Sequence, residues 1–430
     1  MKKVLIIAYY FPSRVTVGSL RQRGLAKYLP EFGWEPIILT PAVPESSNIN
    51  INIKQIRTQY HDVIASWRKR LGLNPNRAIT VQQQLGTTGS NNSSKIIDWL
   101  IKISKEFIAY PDEQKGWYPF AVKAAKEFLR KETVDALISS SSPVTSHLIA
   151  KHLKTKFNIP WIADFRDLWT QNHYYPYSLI RKILERRLEL KTLSVANALV
   201  TVSKPWAEKL HHLHNGKPVW CIPNGFDPEE FIKSSAQLTR KFTITYTGTL
   251  YDGKRDPSLL FMALKELIVG GDIDPDDVEI RFYGHKAQWL ENKISFYDLQ
   301  DVAKHYGLIS RKIALNKQRE SQILLLLNWN TSSPGEAGTC PAKLFEYLAA
   351  QRPILAIGGP PGVVTEILKE TEAGVYVSNV KDLKRLLLQY YLEYKEKGRV
   401  SYKGHNDKIM KYSQREMAKK FAQLLSIVSS

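Results

Sequence analysis

The chain has 430 residues, 43% of them hydrophobic and 24% charged, and this length predicts more than one hydrophobic core. Its formal net charge of +20 calls for an anionic partner: nucleic acid, an acidic membrane surface or phosphorylated small molecules. The two cysteines, Cys221 and Cys340, lie far apart, which argues against a disulfide framework or a zinc motif.

The N-terminal residues 1–8 contain two lysines and a short apolar run. Since the run ends in Tyr9-Tyr10-Phe11-Pro12 without the small-residue site of a signal peptide, we predict a first β-strand instead. The longest aliphatic run, 323–327, is far shorter than the roughly 20 residues that span a bilayer. We therefore expect a cytoplasmic protein that is soluble or peripheral, with any membrane contact at the inner face of the cell membrane.

Strands and helices alternate along the first half of the chain, a cadence typical of parallel, doubly wound α/β sheets. Gly33 is a plausible stop for the first helix. The predicted strands are 4–8, 37–40, 136–139, 161–163 and 198–202, and the predicted helices are 20–29, 120–131, 146–156 and 178–193.

Residues 50–110 interrupt this cadence with nine Lys/Arg against three Asp/Glu. Within them, apolar residues recur at helical spacing between 96 and 108, with lysines interspersed. Such a basic amphipathic helix either lies in a membrane interface or packs on its own domain. A second basic helix, 181–188, either serves the same face or is solvated.

The cadence starts again at residue 243, so we predict two Rossmann-like domains facing across a cleft. They cover 1–222 and 223–405, joined at the turn-forming Ile222-Pro223-Asn224-Gly225-Phe226-Asp227-Pro228. A helix within 406–430 could pack back across the join. The predicted strands of the second domain are 243–247, 279–283, 323–327 and 354–357, and its predicted helices are 257–268, 287–293, 341–350, 362–369, 380–397 and 406–425.

The segment Thr339-Cys340-Pro341-Ala342-Lys343-Leu344-Phe345-Glu346 is the most informative one. Proline suits the first position of a helix, and the free N–H groups of a first turn attract anions. Lys343 adds a charge there, and Glu346 follows three residues later on a neighbouring part of the same face. The pattern indicates phosphates at the helix start and ribose hydroxyls on the carboxylate; a surface Lys–Glu pair is the alternative.

Two further loops follow strands and precede helices. The loop 248–257 contains Gly248, Gly253, Lys254 and Arg255, which suits a diphosphate whose departure these cations would stabilise, unless it is a turn with solvated charges. The loop 11–21 contains Gly18, which permits close backbone approach, but it lacks the G-x-G-x-x-G fingerprint.

Charged residues also follow a first-domain strand, at Asp164, Arg166 and Asp167. Burying them is costly unless they are paired or functional, so a catalytic role and a structural Asp–Arg pair both remain open. Asp112 and Trp117, in a polar-aromatic cluster before a helix, could line the same opening. No metal site is predicted, because His211-His212-Leu213-His214 fits no closed zinc site.

Together these segments resemble a group-1 (family 4) glycosyltransferase of the two-domain GT-B fold, over nearly the whole chain. Residues 164–167 and 111–117 look like a subgroup common in surface-polysaccharide synthesis. The resemblance rests on 4–18, 223–227, 246–248, 283–284 and 341–353.

The resemblance implies transfer of a sugar from a nucleotide-diphospho-sugar, a UDP- or GDP-sugar, to a saccharide or lipid-linked saccharide. It also implies retention of configuration, with neither metal nor cofactor. Glu346 would bind the ribose, Lys254 or Arg255 the diphosphate, and Gly18 would lie beneath the donor phosphates. The residues predicted by motif and resemblance form three sets: catalytic Arg255, Lys254, Arg166 and Asp164; donor-binding Gly18, Gly248, Thr249, Tyr283, Gly284, Thr339, Lys343, Leu344 and Glu346; and acceptor-side Arg21, Asp112, Trp117 and Asp167.

The chain departs from the family pattern at three places. Gly338 occupies the position of the first of two family glutamates, whose contact to the donor sugar is either missing or replaced, with Glu336 as the candidate replacement. Arg166 stands where many members have a histidine. Gly248-Thr249 replaces the usual Gly-Arg pair and leaves the charge to Lys254 and Arg255.

Three other functions compete with this interpretation. The first is a nucleotide-sugar epimerase or phosphorylase of the same fold, although no lysine matches a phosphorylase cofactor site. The second is a basic nucleic-acid-binding protein, for which no recognised motif is found. The third is a non-catalytic nucleotide-sugar-binding protein, suggested by the missing glutamate.

Overall fold

The structure is a computed structural model that describes residues 1–11, 17–42, 53–70, 106–172, 175, 177–231, 236–251, 253–329 and 338–430. The predicted membrane-type segment 96–108 lies almost entirely outside the described residues. The chain divides into two compact units, of which the first comprises Met1–Val202, Trp206–Ile222 and Ala418–Ser430. The second comprises Ser203–Pro205 and Pro223–Met417.

The first unit is built on a seven-stranded parallel sheet in the order β3-β2-β1-β4-β5-β6-β7. Its central strands are buried on both faces, as expected of apolar strands covered by helices on each side. The strands are β1 (Lys2–Ile7), β2 (Trp34–Pro41), β3 (Gln55–Thr58), β4 (Ala136–Ser141), β5 (Trp161–Phe165), β6 (Ala198–Thr201) and β7 (Val219–Cys221).

The helices of the first half start where the sequence offers suitable residues. Pro119 lies in the first turn of the third helix, where its missing N–H leaves no bond unmade. The Ser178 hydroxyl caps the fifth helix by accepting a bond from the Arg181 N–H. The helices are α1 (Val17–Tyr28), α2 (Val63–Arg70), α3 (Tyr118–Leu129), α4 (Thr145–Phe157), α5 (Leu179–Leu193) and α6 (Lys204–Leu213).

The second unit is built on a six-stranded parallel sheet in the order β10-β9-β8-β11-β12-β13. The strand Ile323–Leu327, five aliphatic residues, is fully buried near the middle of this sheet. The strands are β8 (Phe242–Thr247), β9 (Val278–Tyr283), β10 (Ala303–Gly307), β11 (Ile323–Leu327), β12 (Ile354–Ile357) and β13 (Gly374–Val377).

Helices flank the second sheet, and most of the last helix of the chain belongs to the first unit, which includes Ala418–Ser430. Ser310 and Asn379 cap two of them through their side chains. The helices are α7 (Pro228–Phe231), α8 (Ser258–Val269), α9 (Gln288–Phe296), α10 (Arg311–Glu320), α11 (Ala342–Ala350), α12 (Val363–Thr371), α13 (Val380–Lys397), α14 (Asn406–Met410) and α15 (Gln414–Val428).

The predicted fold class is confirmed: both sheets are parallel and helices alternate with strands. The prediction of one continuous helix over 406–425 is wrong. The backbone of residues 412–414 pairs instead with Phe226, whose N–H donates to the Tyr412 carbonyl at 3.1 Å and whose carbonyl accepts from the Gln414 N–H at 2.8 Å. A Cβ on Gly225 would lie 2.7 Å from this backbone, so the close approach requires the glycine.

Candidate functional site

An open pocket lies at the carboxyl ends of β8, β11 and β12, the edge at which parallel sheets bind ligands. Its empty volume is about 420 Å³, including space open to solvent. The loops after three strands and the start of α11 meet here. The lining residues are Arg255, Leu327, Asn328, Trp329, Thr339, Pro341, Pro360, Gly362, Val363 and Val364.

Two glycines bring the loop after β8 close to α11. Gly248 has a φ of +124°, and its N–H donates to the Tyr283 carbonyl at 2.7 Å. A Cβ on Gly248 would lie 2.8 Å from Lys343 Nζ, and a Cβ on Gly284 would lie 2.3 Å from the Gly248 carbonyl oxygen. The missing side chain of Gly248 therefore leaves space for the Lys343 ammonium, and that of Gly284 leaves space for the Gly248 backbone.

Lys343, in the first turn of α11, has a buried ammonium group without a hydrogen-bond acceptor among the described residues. Its Nζ lies 3.7 Å from the centroid of the Tyr246 ring, a contact that partly compensates a cation. Burial lowers the pKa of Lys343 well below its ordinary value; the charge of Arg255 lowers it further, and Glu346 opposes both. A bound anion would supply the missing partner.

The start of α11 differs slightly from the prediction. Pro341 is the N-cap, with extended backbone, and the helix begins at Ala342. The Thr339 hydroxyl beside it is buried without a partner among the described residues. The side chain of Leu344, a predicted donor-binding residue, is 0% exposed, and its N–H donates to the Pro341 carbonyl at 3.0 Å. A contact of Leu344 with the donor stays a prediction.

Glu346 lies one turn after Lys343 and is held from α10. Its Oε1 accepts from Arg311 Nη2 at 3.0 Å, and its Oε2 accepts from Gln318 Nε2 at 3.4 Å. Gln318 also donates to the Thr247 hydroxyl at 2.9 Å. Sequence reasoning missed Arg311 and Gln318, because contacts between distant helices have no local pattern.

The predicted diphosphate cations lie in the loop after β8. Arg255 lines the pocket, donates to the carbonyl oxygen of the exposed Thr249 at 3.2 Å and stacks 4.8 Å from the Tyr251 ring. Lys254 Nζ lies 5.1 Å from the Trp329 ring. Trp329, a pocket residue that was not predicted, lies two residues after the apolar run of β11, and its position at a strand end was the available signal.

Tyr283 is nearly buried and stacks on Tyr306, with ring centroids 5.1 Å apart and an interplanar angle of 20°. Burial raises the pKa of its hydroxyl. Its carbonyl, rather than its ring, holds the Gly248 loop. Tyr283 therefore positions the loop after β8 through its backbone carbonyl.

In the first unit, Asp164 and Arg21 form a buried ion pair. Arg21 Nη2 and Nε donate to Asp164 Oδ1 at 2.9 and 3.1 Å, and both side chains are almost inaccessible. Arg21 also donates to the Ile222 carbonyl at 2.9 Å, and Ser140 donates to Asp164 at 3.0 Å. The structural Asp–Arg pair is correct, and the predicted catalytic role of Asp164 and acceptor role of Arg21 are not compatible with this burial.

Arg166 donates to three backbone carbonyls: Ser141 at 2.9 Å, Ser142 at 2.7 Å and Gly18 at 2.6 Å. Burial lowers its pKa. Arg166 thus fixes the start of α1 to the end of β4, while its neighbour Asp167 is exposed.

Asp112 and Trp117, the two remaining residues of the predicted acceptor side, both make contacts within the first unit. Asp112 accepts from the N–H and hydroxyl of Thr145, both at 2.7 Å, and therefore caps α4; burial raises its pKa. Trp117 is 0% exposed and donates to the Thr58 hydroxyl at 2.8 Å. The prediction that Trp117 lines an acceptor site is wrong, because it fills the core.

Among the described residues, no three His, Cys, Asp or Glu side chains are grouped to hold a metal ion. Within the same residues, every helix is too short or too polar to cross a bilayer.

Residues 22–230 match the model of Glycosyltransferase Family 4. No protein with a curated description matches the chain in sequence.

Several solved structures share the fold. Sucrose-phosphate synthase from Thermosynechococcus elongatus is 14% identical with a TM-score of 0.66, over 100% of this chain and 99% of that one. Anabaena Alr3699/HepE in complex with UDP and glucose is 11% identical with a TM-score of 0.63, over 99% and 100%. The lipopolysaccharide outer core galactosyltransferase WaaB in its apo form is 12% identical with a TM-score of 0.55, over 99% of both chains. The predicted resemblance to a family 4 glycosyltransferase is confirmed over residues 22–230, and the predicted GT-B fold is confirmed by the solved structures.

Proposed function

Because residues 22–230 match the model of Glycosyltransferase Family 4 and the chain has the GT-B fold, we propose that it transfers a sugar from a nucleotide-diphospho-sugar to a saccharide acceptor, free or lipid-linked, with retention of configuration. The donor would bind at the pocket of the second unit. The structure of Anabaena HepE contains UDP and glucose, which supports a UDP-sugar as the first donor to test.

The observation that carries this proposal is the buried Lys343 Nζ, which lacks a partner among the described residues. A buried amine without a hydrogen bond costs about 1–3 kcal/mol, so a ligand that satisfies it gains that much. The ligand must be anionic, because Arg255 contributes a second positive charge close enough to lower the pKa of Lys343. A diphosphate meets both requirements.

The neighbouring residues extend this pocket to a whole nucleotide. The first turn of α11 leaves N–H groups without intrahelical acceptors, and these would add donors to the phosphates. Glu346, one turn later, would accept hydroxyls of the ribose. Its present donors, Arg311 and Gln318, would hold the carboxylate in position.

In the proposed reaction, the bond between the sugar C1 and the diphosphate oxygen breaks. The acceptor oxygen forms its bond to C1 on the same face, and the acceptor proton passes to a phosphate oxygen of the leaving group. Lys343 and Arg255 stabilise the negative charge on the departing diphosphate, the largest catalytic term expected here. Because these cations come from the protein, the proposed step needs no metal.

Gly338, at the position of a family glutamate, favours one alternative: a non-catalytic nucleotide-sugar-binding protein. Glu336, the substitute predicted for that glutamate, lies outside the described residues. The alternative keeps the donor pocket and loses the transfer step. Binding and transfer therefore have to be measured separately.

The test measures thermal unfolding with UDP, GDP, ADP and their sugars, since a bound ligand stabilises by mass action. We expect one nucleotide family to raise the melting temperature, and Lys343→Met to abolish that rise. Lys343→Met should also reduce transfer about 10²- to 10³-fold. The control is Lys369→Met, an exposed lysine of α12. Stabilisation without transfer to any saccharide selects the binding protein, and an absence of stabilisation overturns both functions.

A further inference from the structure

Helix α5 partly reverses the usual surface pattern: it buries three charged side chains and exposes a row of apolar ones beside its remaining cations. The residues that are buried on α5 include Arg181, Glu185 and Glu189, all at most 4% exposed. The ordinary surface helix buries its apolar stripe and exposes its charges. Two features therefore need an explanation: the buried charges on the inner face and the exposed apolar side chains on the outer face.

The inner face is satisfied by specific bonds. Arg181 donates to Glu185 at 2.7 Å and to the carbonyls of Glu106 and Ala109 at 2.6 and 3.0 Å. Glu185 also accepts from the Trp169 indole N–H at 2.9 Å. These bonds fix which side of α5 faces the protein, because rotating the helix would leave buried charges unpaired.

The inner face continues toward the C-terminus of α5. Glu189 accepts from the Thr170 N–H at 3.1 Å and from its hydroxyl, and His214 lies 3.5 Å away. The orientation of α5 is therefore set by polar groups along more than two turns.

The outer face contains several exposed apolar side chains. Leu179 is 78% exposed, Ile180 71% and Ile183 56%, and Leu184 and Leu190 are also exposed. Phe107, 67% exposed, belongs to the segment that binds the same helix through Glu106. A cluster of apolar side chains exposed to solvent, as on this face of α5, marks an interaction site.

The charges on the outer face all have one sign. Arg186, Arg187 and Lys191 are exposed, whereas the two acidic residues of the helix, Glu185 and Glu189, are buried. A second copy packed on this face with twofold symmetry would bring like charges together. An anionic lipid surface complements both features, since its headgroups attract cations and its acyl region accepts aliphatic side chains.

We propose that the outer face of α5 docks this protein in the plane of an anionic phospholipid membrane, with Leu179, Ile180, Ile183 and Leu184 inserted at the acyl boundary and Arg186, Arg187 and Lys191 at the phosphates. This contact involves only the first unit and does not depend on the proposed reaction. It would place a lipid-linked acceptor and the protein on one surface.

The test is co-sedimentation of the full chain with phosphatidylglycerol-containing vesicles and with phosphatidylcholine vesicles, without nucleotide or acceptor. We expect binding to the anionic vesicles that weakens with salt. Ile180→Gln/Ile183→Gln should weaken it on the order of tenfold or more, and Arg186→Gln/Arg187→Gln roughly tenfold. Circular dichroism and thermal unfolding check that both variants fold.

The matched control is Val269→Gln/Leu308→Gln, which removes two equally exposed aliphatic residues, 78% and 70% exposed, from the second unit. It should bind vesicles like the parent chain. The proposal is overturned if the parent chain binds neither vesicle, if the control weakens binding as much as the α5 variants, or if sedimentation velocity shows a dimer that Ile180→Gln/Ile183→Gln dissociates. Transfer to a soluble acceptor is measured in parallel and should be the same in the α5 variants.

Discussion

Each unit contains a buried cation near the start of a helix, and the two have opposite surroundings. Arg21 in α1 donates to the Asp164 carboxylate, which also accepts from the Ser140 hydroxyl, and to the Ile222 backbone carbonyl. Lys343 in α11 has an aromatic face and a neighbouring arginine, and its Nζ has no acceptor in the described structure. The first arrangement is complete without a ligand, and the second is not.

The difference separates structural charges from functional ones. A fully paired buried ion pair is costly to break, since removal of one partner leaves an uncompensated charge. An unpaired buried amine lowers stability until a ligand satisfies it. Both residues follow loops at the carboxyl ends of strands, so location alone does not distinguish them; the inventory of acceptors does.

Breaking the paired cation should give the largest effect on stability. Asp164→Ala should lower the free energy of unfolding by about 3–5 kcal/mol, because Arg21 then stays buried without its partner. Urea unfolding of the ligand-free protein measures this. The double variant Arg21→Met/Asp164→Leu should recover much of the loss.

Asp167→Ala is the control, because Asp167 is exposed and should change the free energy of unfolding by no more than about 0.5 kcal/mol. If Asp164→Ala keeps full stability and loses only transfer, the carboxylate acts in catalysis and the comparison of the two cations fails.

For the pocket of the second unit, the residues that are close in sequence could be predicted, and the contacts between residues far apart in sequence could not. Lys343 and Glu346 lie within one helical turn, so helical spacing could relate them. Arg311 reaches Glu346 from a helix that begins over 30 residues earlier, and no local pattern shows that. Leu344 shows that the side chain of a motif residue can pack in the core although its neighbour Lys343 is the proposed ligand contact.

The first unit shows a second limit. The order of residues predicted α5 over 178–193, yet apolar periodicity would have buried its leucines and isoleucines. The outward turn follows from bonds to Glu106, Trp169 and Thr170, residues that are distant in sequence. Trp117 was likewise assigned to a surface by its polar neighbours, although its indole N–H finds an acceptor inside the core at Thr58.

The carboxylate beside the unpaired cation should give the next effect. Glu346→Gln should weaken binding of the preferred nucleotide about 10- to 100-fold, because hydrogen bonds to a charged acceptor contribute about 1.5–3 kcal/mol. Titration calorimetry with the ribonucleotide and its 2′-deoxy analogue measures it. The variant should lose much less affinity for the deoxy compound.

Glu396→Gln, an exposed glutamate of α13, is the matched control and should bind both nucleotides normally. An equal loss for the ribose and deoxyribose compounds would mean that Glu346 only positions Arg311 or the helix and does not touch the ribose 2′-hydroxyl.

The smallest expected effect is the pH dependence of donor binding. Burial and Arg255 lower the pKa of Lys343 in the ligand-free protein, and a bound diphosphate should raise it again. Binding should therefore take up a proton, and affinity should fall by at most about tenfold per pH unit as pH rises between the two pKa values. Before binding, the sign is reversed: the unfolded chain holds this proton more tightly, so the free protein gains stability as pH rises toward about 10.4.

A nucleotide sugar is the proper ligand for this measurement, because its diphosphate is esterified at both ends and carries no phosphate proton that titrates near neutral pH. Calorimetry in two buffers of different ionisation enthalpy should give an uptake of up to one proton, absent in Lys343→Met. An uptake that persists in Lys343→Met would move the titrating group elsewhere, and no uptake in either protein would mean that Lys343 keeps its charge when the pocket is empty. In that case the Tyr246 ring would compensate the buried ammonium. Lys343 and Arg21 would then differ in the kind of partner they have, an aromatic ring or oxygen acceptors, and not in whether they have one.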